Sequence, residues 1–367
     1  RDDVESRGLG DVYKRQSCIL DTYLGGQQWQ ALNMSVYLDM SGNAFWGKNG
    51  TFYKLEYFDE ILAISSGNLR RISVNKVVDF IKDNLNKDTY IIIDCNMSKI
   101  SLDSEAGLQI HEILIYGYDE DEKVFFSPLL DNRTGKYVVV KIPYEKLKVS
   151  FSDARKRYLN DPNYRYLRRY HYFYPITKIR PKTISINKFE FLISMIRKIE
   201  NETRSERTII ENVSEIGVAL QQRAVYTGMG SFVLLKCKLE EYFSNPEEKF
   251  IDITQPLLKF YEHKSNILVG ITIAFELFGV CNGAEELREL YANLVKQIQI
   301  AYLLAYKYSN TNNLKDIRSV YELICENIRE EPELLKRISN AFVCKLEDYY
   351  RGCLLYTSDA ADDLIGV

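Results

Sequence analysis

The chain has 367 residues, a formal net charge of −3 at pH 7, 46% hydrophobic and 27% charged residues, which is the balance of a globular protein and excludes a disordered one. Lys plus Arg number 48 against 51 Asp plus Glu, so no global field favours nucleic acid or an anionic membrane surface. Its 7 cysteines form no C-x-x-C pair, which argues against a zinc site and fits a reducing cytoplasm better than an oxidising compartment.

The two ends read as foreign to the fold. Ser6–Gln16, SRGLGDVYKRQ, matches one translation frame of the primer tail and transposon end used in sequencing libraries, and Cys353–Asp362, CLLYTSDAAD, matches the complementary adapter. Residues 1–16 and 353–367 are therefore set aside, as expression tags would be, with the expectation that both native termini are missing. Without them Lys plus Arg falls to 44 and Asp plus Glu to 44, so the fragment from Ser17 to Gly352 is formally neutral. About 336 residues leave room for two domains, each with its own core.

In chain order, Gly25-Gly26 is a break, and QQWQALNMSVYLDM (Gln27–Met40) places Trp29, Leu32, Val36 and Met40 near one face of a predicted helix. Residues 44–64 mix aromatics with glycine and predict short strands or an irregular helix. Ser73 is expected to cap a helix with Val74, Val77, Val78, Ile81 and Leu85 as its apolar stripe. Tyr90–Ile93 follows as a buried strand. HEILIYGY (His111–Tyr118) is dense in β-formers, Asp119–Lys123 is a charged turn, and 123–127 and 136–142 continue an antiparallel meander. Asp131-Asn132 and Gly135 supply turn chemistry. Tyr144–Leu147 starts a short helix, 168–176 predicts a last strand, and the stretch from Pro175 to Pro181 reads as a linker.

Beyond Ile186 the period is helical throughout. Phe189, Leu192, Ile193 and Ile196 form one stripe, and 229–242 another. Pro256 sits near the start of a helix carrying Leu257, Tyr261, Leu268 and Phe275, and Gly283 precedes a helix with Leu287, Leu290, Leu294 and Ile298. Two further helices are expected over 313–329 and 332–350. The stretch 265–280, interrupted by Glu276, is expected to be a buried helix, not a membrane span. Four cysteines in these helical segments read as small core residues, and His263 as a partly exposed structural residue.

The block HEILIYGYDEDEKVFF (111–126), followed by a strand and IPYEKL (142–147), resembles the N-terminal domain of the butirosin-biosynthesis protein H family of bacterial peptide natural-product clusters. That family is in turn similar to the papain-like peptidases that trim bacteriocin leaders. VVDFIKDNLNKDTYIIID (77–94) fits the helix and strand expected before the histidine. YTGMGSFVLLKCKLEEYF (226–243) and PLLKFYEHK (256–264) resemble the helical C-terminal halves of relatives. The resemblance implies an α+β chain: a papain-like domain over 17–180, helices packed on an antiparallel sheet, then an all-α domain over 186–352.

The chemistry so implied is acyl transfer or peptide hydrolysis, in which a thiol attacks a carbonyl, a histidine shares its proton, and Asp or Asn orients the ring. His111 matches the histidine position. Near Gln27 the expected first helix carries Gln where the family places Cys, and Cys18 lies upstream as the available thiol. Ser127-Pro128 stands where the family has Asp, with Asp131 and Asn132 close by. No cofactor and no metal are expected.

The run from Arg155 to Tyr174 interleaves Arg155, Lys156, Arg157, Arg165, Arg168 and Arg169 with tyrosines. It is able to dock an acidic carrier protein or stack bases, and as a solvated loop and edge strand it needs no partner. Three functions follow. The first is a degenerate papain-like protein that binds a peptide or acyl-carrier-bound intermediate without cleaving it, with neither nucleic acid nor membrane as partner. The second is an active cysteine acyltransferase or peptidase using Cys18 and His111. The third is an interaction scaffold acting through the helical domain. The first is the expectation, and no oligomeric state follows from the residues.

Overall fold

The computed structural model describes residues 19–20, 24–42, 44–48, 51–52, 61–66, 72–100, 110–131, 136–160, 176–212, 221–244, 253–279 and 283–362. Contacts divide them into two compact units, mixed in helix and sheet, with antiparallel pairing in every described ladder. The described parts of Arg1–Tyr23 and Lys54–Ile184 form the first unit; those of Leu24–Tyr53, Ser185–Asn212 and Leu220–Val367 form the second.

The chain begins its described course in the second unit with α1 (Leu24–Asn33), β1 (Ser35–Asp39), β2 (Ala44–Lys48) and β3 (Thr51–Phe52). The first unit follows: β4 (Leu62–Ser66), α2 (Val77–Leu85), β5 (Tyr90–Asn96), β6 (Ile110–Ile115), β7 (Gly117–Asp119), β8 (Val124–Asp131), β9 (Lys136–Pro143), α3 (Tyr144–Asn160) and β10 (Ile176–Pro181). The second unit is completed by α4 (Lys188–Thr203), β11 (Ser205–Asn212), β12 (Gln221–Gly228), α5 (Met229–Ser244), α6 (Thr254–Phe278), α7 (Ala284–Thr311) and α8 (Leu314–Asp362).

The first unit is built on the sheet β4-β10-β5-β6. Ile91, Ile93 and Cys95 alternate along β5 and meet Ile115, Ile113 and His111 across the β6 ladder. This face forms a core with Val77, Val78 and Ile81 of α2 and Leu147 and Phe151 of α3. The intervening Ile92, Asp94 and Asn96 are buried too, so β5 is covered on both faces. The chain crosses from β6 to β7 at Tyr116, whose N–H donates to the Phe126 carbonyl at 3.2 Å, and β7-β8-β9 forms the expected meander.

Several expectations change here. The helix from Tyr144 runs on to Asn160. The expected linker is instead β10, a central strand whose Thr177 pairs with Ser66 on one side and Ile92 on the other. Pro181 is tolerated because it is the terminal position of that strand. Ser73 stands before a 3₁₀ turn, Val74–Lys76, and its side chain makes no cap hydrogen bond. The expected strand over 168–176 lies outside the described residues except for Ile176.

The second unit corrects the sequence reading more deeply. The described residues of 24–52, expected within the papain-like domain, pack with the helices, and the part expected to be all-α carries the sheet β11-β12-β1-β2-β3. The helix predicted over 27–40 begins earlier, takes in Gly25 and Gly26, and stops at Asn33. Met34 onward turns extended because β1 is claimed by two long-range ladders, Leu38 opposite Ala44 of β2 and opposite Tyr226 of β12. Helical spacing of Trp29, Leu32, Val36 and Met40 loses to those hydrogen bonds. At Gly228, φ is +53° and a Cβ would lie 2.7 Å from the Glu202 carbonyl oxygen, so the β12–α5 junction requires glycine.

One helix, α8, replaces the two expected over 313–329 and 332–350, with Pro332 inside it. Proline has no N–H to give the Ile328 carbonyl, a site that normally ends or kinks a helix. The cysteine reading is also overturned: Cys237 and Cys344 are exposed and Cys325 is half-buried, whereas Cys95 in the sheet is buried. Cys281 lies outside the described residues. Among the described residues no helix is long and apolar enough to cross a membrane.

Candidate functional site

Strand β5 opens as an isoleucine run and closes as Asp94-Cys95-Asn96, polar groups in a strand buried on both faces. Register places Asp94 opposite Glu112, Cys95 opposite His111 and Asn96 opposite Ile110. Directly opposed residues of an antiparallel pair project to the same face. Cys95 and His111 therefore share the helix-covered face, and Asp94 and Glu112 share the other. Cys95 is 0% exposed, Asp94 3% and Glu112 4%.

The imidazole is oriented by Glu112. His111 Nδ1 lies 3.1 Å from the Glu112 main-chain oxygen and 3.2 Å from Glu112 Oε2. A proton on Nδ1 serves both oxygens. The strand end is fixed by α3: Ser150 Oγ donates to the Asn96 carbonyl at 2.9 Å, and Asn96 Nδ2 donates to Asp153 at 3.2 Å. Asn96 Oδ1 also caps the following 3₁₀ turn by accepting from the Ser98 N–H.

The residues expected to work with His111 fare differently. Cys18 and Asn132 lie outside the described residues, and Asp131 is placed only by its backbone, at the end of β8 opposite Lys136. A carboxylate set against the ring is that of Glu112. Ser127 is fully buried in β8, and its Oγ has no hydrogen bond among the described residues. Asp94, Cys95 and Glu112 escaped the sequence reading, although the polar Asp94-Cys95-Asn96 end of an isoleucine strand was visible. Of the basic aromatic run, 155–160 form the end of α3, and 161–174 lie outside the described residues.

A second polar cluster lies inside the helical unit. Glu202 of α4 accepts from His263 Nε2 at 2.9 Å and Lys264 Nζ at 3.0 Å, and Lys198 Nζ stands 3.4 Å away. Lys264 also reaches Glu331 of α8 at 2.7 Å, and the Tyr291 hydroxyl donates to the same Glu331 oxygen at 3.2 Å. Lys198 donates to the Met34 carbonyl at 2.8 Å and to Ser35 Oγ at 2.6 Å, tying the α1–β1 junction into the cluster. His263, expected to be partly exposed, is 3% exposed.

Burial lowers the His263 pKa to about 4, outweighing Glu202, so the ring is neutral near pH 7. Burial alone would push the Glu202 carboxyl up, but His263, Lys264 and Lys198 hold it well below the usual range. Burial raises Glu331 despite Lys264, and burial lowers Lys198 despite Glu202. This is a buried ionic and hydrogen-bonded core joining α4, α6, α7 and α8, and a cavity of about 500 Å³ lies alongside it, lined by Ile199 and Thr203 of α4 and Arg329, Pro332 and Ser339 of α8.

No group of three or more His, Cys, Asp or Glu among the described residues is arranged to hold a metal ion. No protein-family model matches the chain, and no curated protein matches it in sequence.

Proposed function

We propose that the protein is a papain-like domain protein of a bacterial, cytoplasmic peptide natural-product pathway, which binds a peptide or carrier-bound acyl intermediate at the β5–β6 strand end without cleaving it. The observation that carries this reading is the burial of the thiol beside the imidazole. Cys95 is opposite His111 yet has 0% exposure, and a thiol sealed in an apolar core is inert as a nucleophile. The resemblance supports the reading further, because Gln27 stands near the start of the first helix where the family carries its cysteine. What the strand end offers is recognition: the partly exposed His111 imidazole, oriented by the buried Glu112, is a group that hydrogen-bonds a peptide or thioester carbonyl.

The test uses an aminoacyl N-acetylcysteamine thioester as a small stand-in for a carrier-bound acyl group, titrated into the full chain. Saturable binding without thiol release is expected, unchanged by Cys18→Ala and weakened roughly tenfold by His111→Ala, the loss of a hydrogen bond to a ring held in place. Thiol release abolished by Cys18→Ala would establish an active acyltransferase or peptidase. Binding untouched by His111→Ala would move the function to the helical unit.

A further inference from the structure

Three aromatic rings from three helices of the second unit converge at the surface. Phe189 is in the first turn of α4, Phe278 ends α6, and Tyr349 lies late in α8. The Phe189 and Tyr349 centroids are 4.0 Å apart, and Phe189 and Phe278 are 5.3 Å apart in an edge-to-face pair. Tyr350 extends the group from Tyr349 at 6.1 Å. The cluster is not core: Tyr349 is 42% and Tyr350 56% exposed.

A cation already sits among these rings. Lys188 Nζ is 5.0 Å from the Phe189 centroid, 5.6 Å from Phe278 and 5.9 Å from Tyr349. All three distances fall within the range where a ring quadrupole attracts a positive charge. Lys188 has no ion pair among the described residues. The ammonium of an exposed lysine is thus placed by ring faces rather than by a carboxylate.

We propose that Phe189, Phe278 and Tyr349 form a binding site for a quaternary ammonium group, which the chain's own Lys188 occupies when no ligand is bound. A trimethylammonium head is less strongly hydrated than a primary ammonium, and its methyl groups pack on ring faces, so it gains more from such a cage. Lys188 competes at the high effective concentration of a tethered group. It keeps the rings covered and sets a threshold that an incoming cation must exceed. This site is independent of the β5–β6 strand end.

Choline, titrated into the full chain and followed by the NMR signals of the aromatic rings, tests the assignment. One saturable site is expected, binding roughly tenfold more tightly in Lys188→Ala, where the tethered competitor is gone. Phe189→Leu should abolish binding. Tyr349→Leu, at an exposed position where folding is preserved, should weaken it, whereas Tyr349→Phe retains it because the ring face is kept. The uncharged isostere 3,3-dimethylbutanol should fail to bind. Absence of saturable choline binding to Lys188→Ala, or equal binding of the neutral isostere, would overturn the proposal and leave the rings as a hydrophobic contact between helix ends.

Discussion

His111 and Cys95 stand directly opposite each other on β6 and β5, an imidazole and a thiol brought to one face of the sheet by strand register. The pairing sets a base beside a sulfur, but at the sealed end of an apolar cluster. Solvent contact, not proximity, decides what the thiol does.

The cysteines should therefore react in an order set by burial. An aromatic disulfide reagent is expected to modify Cys237 and Cys344, both exposed, in the native protein. Cys95 should react at least roughly a hundredfold more slowly, through unfolding alone. Peptide mapping by mass spectrometry after timed labelling checks this. Early modification of Cys95 would show that the strand pair opens to solvent and would revive a thiol role beside His111.

Lys264 is 1% exposed and bridges Glu202 and Glu331. Lys264→Met leaves two buried carboxyls without their shared cation, and the expected cost is about 3–5 kcal/mol of unfolding free energy. Urea denaturation followed by helix circular dichroism measures it. The double variant Lys264→Met, Glu331→Leu should recover part of that loss, because Glu202 keeps Lys198 and His263 and no carboxyl is left without a partner. A Lys264→Met protein as stable as the parent would show that the cluster is hydrated.

Acid should weaken the helical unit through His263. Its folded pKa of about 4 lies below the ordinary value of 6.5, so between these values the unfolded chain binds a proton that the folded chain does not. Stability accordingly rises with pH across that window and falls as pH drops from about 6.5 toward 4. The depressed Glu202 carboxyl acts in the same direction below its ordinary value of 4.5. His263→Gln keeps an N–H donor for Glu202 and carries no titration, so its stability profile should be flatter over this interval. Parallel profiles for the two proteins would place the titration elsewhere.

Pro332 interrupts a continuous helix at a position where its neighbour Glu331 is fully buried. Pro332→Ala restores an N–H for the Ile328 carbonyl and should raise stability by about 1–3 kcal/mol. The thermal midpoint reports it. A lowered midpoint would mean that the backbone geometry at Pro332 is needed to seat Glu331 against Lys264.

From the sequence alone, the elements governed by neighbours in the chain were readable. The stripe of α2, the apolar run of β5, the β7–β9 meander and the helices beginning near Met229, Thr254 and Gly283 follow from periodicity and turn chemistry, which act over a few residues. Tertiary structure decided the rest, because the deciding contacts join distant segments. Residues 34–39 are a strand since β2 and β12 supply ladder hydrogen bonds, and the segment after Pro175 is a central strand since β4 and β5 flank it. His263 is buried against Glu202 of α4, which also takes Lys198 and Lys264, and its own neighbours in sequence give no sign of that. The candidate site divides in the same way: His111 stands out by motif, while Cys95, Asp94 and Glu112 become its companions only through the register of two strands.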